Sequence, residues 1–388
     1  MKSLNWKLYS LALIAGMFLI TSCSDTNHGD GGDNDNGVEE GTTLKGILTS
    51  NMILKAGNSY KLSGEFIVEN GATLQIEEGV TIAAISDDDI VDYILVKQGG
   101  KINAVGTAIK PIVMTSDLKE PGAWGGIHIC GKAQTNVGLG VSEIGDAAYG
   151  GNDDTDNSGI LRYVRVEYSG YAFNPEKEAN GITFYGVGSG TTVDHCEVYK
   201  GSDDGFEFFG GTVNISNMIV VSCSDDSYDW TEGWRGTGTN LVAYQEPQAT
   251  LGYDCDCLIE ADNYENDFTA TPIAHPTLKN LILVGNGSTE NKRGVRLRRG
   301  TQVSIDNAKV CGKGNAVTLE SEETENALLA GISKLSNMTV DSALKSEKGI
   351  YTNPAFIAAG NTIDANLTYG SFEAIKAECD WMSGNWVK

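Results

Sequence analysis

Ser202-Asp203-Asp204-Gly205-Phe206-Glu207-Phe208 and Ser224-Asp225-Asp226-Ser227-Tyr228-Asp229-Trp230 are one phrase written twice, 22 residues apart. Each ends in apolar, polar, apolar alternation, the period of a strand with one face buried. A repeat of this length stacks as one coil of a parallel β-helix. Equivalent residues of neighbouring coils then sit about 4.8 Å apart. Glu207 and Asp229 become neighbours on an outer face, and like charges that close need a reason.

Other segments fall into the same register: Gly181-Ile182-Thr183-Phe184, Leu258-Ile259-Glu260-Ala261, Gly294-Val295-Arg296-Leu297 and Ala316-Val317-Thr318-Leu319. Ile182, Phe206, Tyr228, Ile259, Val295 and Val317 form one expected inward ladder, and Phe184, Phe208, Trp230, Ala261, Leu297 and Leu319 the second. The outward column reads Thr183, Glu207, Asp229, Glu260, Arg296, Thr318. Trp124-Gly125-Gly126-Ile127-His128-Ile129 extends it, with His128 at the early end. A second strand follows about ten residues on in each coil, as in Val193 to Val198 and Leu278 to Leu283, in keeping with two or three short strands per coil. Gly64 to Ile82 has the same rhythm and supplies the first coils. The fold class is therefore all-β, a single solenoid.

Three steps are 24, 22 and 22 residues, but the step from Tyr228 to Ile259 is 31 and that from Ile259 to Val295 is 36, and the surplus must leave as loops at 245–254 and 263–275. A larger insert runs from Asn136 to Asn157. Loops that interrupt a regular scaffold are where binding chemistry concentrates. Thr324 to Ser333 reads as a short helix or loop, and Phe372 to Met382 as a cap over the open end.

The same alignment places Asp203, Asp225 and Asp256 in one turn column and Asp204 and Asp226 in the next. Carboxylates this close share protons, pair with Arg293 or Arg296, or hold a cation. Calcium suits an all-oxygen donor set, with Glu207, Asp229, Glu260, Asp203 and Asp225 as its expected ligands. For Asp204 and Asp226 a side-chain to backbone turn role is expected. Arg296 and Arg298 share a strand face beside the acids and join the expected binding surface. Trp230 is core by register. Trp234, Tyr253 and Tyr264 lie near the loops and are candidates for sugar stacking; His128 completes the binding set.

The first residues address the chain. Lys2 and Lys7 precede an apolar run, Leu11 to Ile20, too short for a comfortable membrane span, and Ile20-Thr21-Ser22-Cys23 closes it. That ending resembles a bacterial lipobox, which implies a signal peptide over 1–22 and lipidation of Cys23. Residues 23–41 read as a flexible acidic tether, without the ligand register of an EF-hand loop. The solenoid occupies 42–388. An acidic segment behind a lipidated cysteine also resembles the surface-export signal of Bacteroidetes-type lipoproteins, so the expected location is the outer membrane, at the cell surface.

The full chain carries 28 basic and 52 acidic residues. Removing Lys2 and Lys7 makes it more acidic still, and nucleic acid is excluded as a partner for want of a basic footprint. Beyond Cys23 seven cysteines remain, an odd number, read as buried small apolar residues with one or two bridges at most.

Two resemblances follow from these words. His195-Cys196-Glu197-Val198-Tyr199-Lys200-Gly201-Ser202-Asp203-Asp204-Gly205-Phe206 is similar to the Asp-Asp coil of polygalacturonases, inverting glycosidases on a pectate-lyase-type β-helix; the Gly-His-Gly motif of that family is absent. Over most of the chain, Gly-Ala-Trp-Gly-Gly-Ile at 122–127, Leu-Arg-Tyr-Val-Arg-Val-Glu-Tyr-Ser-Gly at 161–170 and Asp-Trp-Thr-Glu-Gly-Trp-Arg-Gly at 229–236 resemble a family of right-handed parallel β-helix, pectate-lyase-like lipoproteins of Bacteroidetes-type bacteria. That resemblance implies fold and location and brings no catalytic residues. The expectation is a lipid-anchored β-helix that binds a glycan or other extracellular ligand along its acidic face with calcium. A polysaccharide lyase or glycoside hydrolase, and a structural or adhesive surface protein, are the alternatives.

Overall fold

The computed structural model describes residues 37–85, 90–174 and 177–388. Its strands stack in parallel into one ladder of 25, with two small antiparallel hairpins set apart from it. Short strands such as Ile182–Tyr185, Phe206–Phe209 and Tyr228–Thr231 make one face of each coil. Longer strands such as Thr192–Tyr199, Asn214–Val221 and Thr237–Tyr244 make the rest. The longer strands bend at one residue with positive φ, at His195, Asn217, Asn240, Asn280, Asn307 and Asn337. Asparagine tolerates that left-handed geometry better than most residues, so the bend repeats coil after coil. The fold is the all-β, right-handed parallel β-helix that the repeats predict.

The predicted ladders are present residue for residue. Ile182 pairs with Phe206 and Phe206 with Tyr228, and Ile259 with Val295 and Val295 with Val317. All lie in one continuous core, where Phe184 stacks on Phe208 at 5.1 Å and Phe206 on Tyr228 at 5.8 Å. The buried Tyr228 hydroxyl donates to the carbonyl of Val242, 2.9 Å away, which leaves no orphan polar group in that aromatic stack. Coils approach closely at Gly205, where a Cβ would sit 2.6 Å from the Ser227 carbonyl oxygen.

The far end of the core is closed by Leu328 of the helix Glu322–Leu329 and Phe356 of the helix Asn353–Ala358, both packed into the coil interior. Ser321 caps the first of these helices. The segment from Phe372 to Met382, expected as the cap, instead lies along the flank. It packs with Trp386 against Ile219, Val221, Val242 and Val284, side chains that alternation turns away from the core. Arg165 Nη1 ties it down by donating to the Trp386 carbonyl at 3.1 Å. All seven described cysteines are free and buried, with no bridge among them. No helix among the described residues is long and apolar enough to cross a membrane. Cys23 and the tether up to Asn36 lie outside the described residues.

Candidate functional site

The outward column exists in the expected order. His128 pairs with Thr183, Thr183 with Glu207, Glu207 with Asp229, Asp229 with Glu260, Glu260 with Arg296 and Arg296 with Thr318. Its middle is a cluster of carboxyls. Oxygens of Asp204, Glu207 and Asp229 lie within 4.8 Å of one another, as do those of Asp226, Asp229 and Glu260, and those of Asp203, Asp204 and Asp225. The three groups share members and form one chain of acids, with Asp229 joining two of them.

The two turn aspartates have a structural duty. Asp204 Oδ1 accepts the backbone N–H of Asp226 at 2.9 Å, and Asp226 Oδ1 accepts that of Cys257 at 2.6 Å. Each clips one coil to the next, the turn role expected of them. The same carboxyls also belong to the acid chain, as their column beside Glu207, Asp229 and Glu260 implied.

Burial dominates the electrostatics. It pushes Asp203, Asp204, Glu207, Asp226 and Asp229 well above the ordinary carboxyl range, and neighbouring carboxylates add to the effect. Asp225, at the exposed rim, is raised less, to about 6, by desolvation in the cluster and then by Asp256 and Glu260. Asn180 Nδ2 donates to Glu207. Asp229 Oδ1 is buried and has no hydrogen-bond partner.

Beyond Asp229 the column is neutralised by arginines. Arg296 contacts Glu260 through Nη1 and donates from Nε to Glu320 at 2.9 Å. Arg298 contacts Glu260 through Nη2 and donates from Nε to Asp262 at 2.7 Å. Both guanidiniums are therefore engaged with protein carboxylates, and Glu260 is spoken for from two sides. Arg298 also offsets part of the repulsion at Asp225 and Asp229, but among the described residues no ion pair to a lysine or arginine is found for Asp203, Asp204, Glu207 or Asp229.

Two expected binding residues are corrected. His128 is fully buried, with Nε2 2.7 Å from the Gly125 carbonyl oxygen and Nδ1 unpartnered. Burial lowers it to about 4, so it is neutral near pH 7. The cause is the insert: Ile144, Ala147 and Tyr149 fold over this end of the column against Tyr93, Cys130, Tyr185 and Phe209. Trp234 is 1% exposed, stacked on Phe208 at 4.1 Å, with Nε1 donating to the Val213 carbonyl. It is core, and neither of its faces is open to a sugar. Tyr253 and Tyr264 are half-buried near the loops, and the Tyr253 hydroxyl donates to the Ser222 carbonyl at 2.7 Å.

The insert also brings a group that sequence reasoning missed. Glu143, raised to about 7 by burial, accepts from the Tyr185 hydroxyl at 3.5 Å and is the strongest like-charge neighbour of Glu207. Its only sequence signal was membership of a loop that leaves the scaffold next to the column.

Residues 46–388 match the family model described as a pectate-lyase like beta helix domain. Among curated proteins and among solved structures, none matches the chain.

Proposed function

The chain belongs to the pectate-lyase-like β-helix domain family, and from that premise we propose that it is a binding protein that holds a divalent cation, calcium, in the acid cluster and presents it to an extracellular glycan or similar anionic ligand. The observation that carries this reading is the orphan oxygen of Asp229, buried at the junction of the groups Asp204–Glu207–Asp229 and Asp226–Asp229–Glu260. A buried acceptor without a donor is costly, and a hard cation with oxygen ligands would satisfy it. The donor set fits: at Asp204, Glu207 and Asp229 it is carboxylate oxygen throughout, with no sulfur or imidazole. Two roles follow for the neighbours. Arg296 and Arg298 hold Glu260 in place, and Asp204 and Asp226 hold the coils at the spacing that brings the oxygens together.

In this reading Cys23 carries the lipid that anchors the domain in the outer membrane, facing outward, with the acidic segment as tether. A free polyanionic ligand would be repelled by the cluster alone, so the cation would be its bridge. Calcium titration followed by thermal unfolding tests the site. The expected result is a rise in Tm that Asp229→Asn and Glu207→Gln each abolish; no rise with the unaltered protein would remove the metal from the proposal.

Family membership also supports a second reading, a polysaccharide lyase or glycoside hydrolase in which a column carboxyl or Arg296 transfers a proton. Reducing-end and unsaturated-product assays on acidic and neutral glycans separate the two. Silence across the panel, with cation binding intact, leaves binding as the function.

A further inference from the structure

On the flank away from the acid column, three stacked strands and the C-terminal segment enclose a groove of about 400 Å³. Its floor is the outward column Val242, Ile282, Lys309, paired in register. One wall is the row of bend asparagines Asn240, Asn280 and Asn307, and the other runs from Glu378 to Trp381. We propose that this groove is a cation-independent binding site for a neutral oligosaccharide.

The asparagine wall is organised. Asn307 Nδ2 donates to Asn280 Oδ1 at 2.8 Å, Asn280 Nδ2 to Asn240 Oδ1 at 3.0 Å, and Asn240 Nδ2 to Asn217 Oδ1 at 2.8 Å. The row ends on Asp194, which accepts from Asn217. Asn217 also reaches His195 Nδ1 with its Nδ2, whereas Asn240, Asn280 and Asn307 each spend one N–H on the row and have no second protein acceptor among the described residues, leaving one donor per coil. Asn307 Oδ1, at the open end, receives no protein donor among the described residues, and Asn280 and Asn307 are exposed. A line of donors ending in an acceptor matches a chain of hydroxyls, which do both.

The opposite wall adds the other half of sugar recognition. Trp381 is half-buried, packs against Trp386 and His195 and lines the groove, where an indole gives the C–H face of a pyranose an apolar surface. Lys309 and Glu378, 2.6 Å apart, cancel each other, and the exposed Asp380 leaves the lining with one negative charge, which disfavours a polyanion. The same bend column is already covered one stretch earlier by the protein itself, where Trp386 lies against His195 at 5.2 Å and Tyr163 at 5.8 Å. The amide stretch beyond is left open. An extended peptide is the poorer occupant, because the backbone groups beneath the groove are committed to the parallel ladder and offer no strand edge.

The test is calorimetric titration of the purified protein with cellohexaose, mannohexaose and maltoheptaose in excess EDTA, with tryptophan emission followed in parallel. At least one oligosaccharide should bind and perturb the emission. Asn307→Ala, an exposed change, and Trp381→Ala should each weaken it about ten-fold, while Asp229→Asn leaves it unchanged. Absence of binding by all three sugars overturns the proposal. So does binding that Asp229→Asn or EDTA abolishes, or a groove that takes an extended peptide in place of the sugars. If Trp381→Ala unfolds, Asn307→Ala alone decides.

Discussion

Glu207 and Asp229 stand on adjacent rungs of one parallel ladder, paired in register, and their carboxyls belong to the same cluster of oxygens. Burial holds both protons on well above the ordinary carboxyl range, helped by Glu143 and Asp229 at Glu207 and by Glu260 and Asp262 at Asp229. Their repulsion is relieved by protonation or by a bound cation, so their state depends on pH and on metal.

Stability in EDTA should fall as pH rises. The buried acids Asp203, Asp204, Glu207, Asp226 and Asp229 keep protons in the folded chain that the unfolded chain releases near pH 4. Unfolding then releases protons, and the slope of stability with pH is negative. The contribution is complete below about pH 4 and drains away as pH climbs through about 6, where Asp225 titrates, and about 7, where Glu143 and Glu232 do. His128, lowered to about 4, and His275, also lowered, act in the opposite sense over part of this range, and the more numerous carboxyls outweigh them. Thermal melts from pH 4.5 to 8 should show the decline, and saturating calcium should flatten it.

Asp226 offers a clean separation of structural and ligand roles. Asp226→Ala strips the acceptor from the Cys257 N–H and should cost about 1–3 kcal/mol in urea unfolding. Asp226→Asn keeps an acceptor and stays neutral without having to hold a proton, so its metal-free stability should equal or exceed that of the unaltered protein, most clearly at high pH. A loss with Asn as large as with Ala would place the ionised form of Asp226 in the fold itself.

Arg298 competes with any cation for Glu260. Arg298→Met leaves Glu260 and Asp262 short of a partner and should cost about 3–5 kcal/mol in EDTA. Calcium should recover part of that loss and bind several-fold more tightly than to the unaltered protein, because the Glu260 oxygen that faced Arg298 is freed while Arg296 keeps the other. Titration calorimetry on the two proteins reads the difference directly.

Trp234 is a packing residue, and its replacement should behave as one. Trp234→Ala opens a cavity beside Phe208 and Trp230 and should cost about 3–5 kcal/mol, with Trp234→Phe milder. The calcium-induced shift in Tm should be the same in Trp234→Phe as in the unaltered protein.

The coil register was legible because it is a local property. Strand alternation fixes which side chain points out, and the 22-residue offset fixes which lie above one another, so the column from Thr183 to Thr318 could be read without coordinates. Asp204 and Asp226 were only half legible. Their turn column and its place beside the other acids follow from spacing, but which backbone N–H each accepts and which oxygens meet depend on side-chain direction in three dimensions.

What the amino-acid sequence alone determined is the solenoid, its inward ladders and the stacking of Glu207, Asp229 and Glu260, since all of these rest on periodicity within and between neighbouring coils. What only the tertiary structure decided is access. The insert folds back on Tyr93 and Tyr185 and buries His128, Trp234 turns inward onto Phe208, Arg296 and Arg298 close on Glu260, and the final segment lies along the flank instead of over the end. Each is a contact between parts of the chain that periodicity does not relate, set by which apolar surfaces remain to be covered once the coils have stacked.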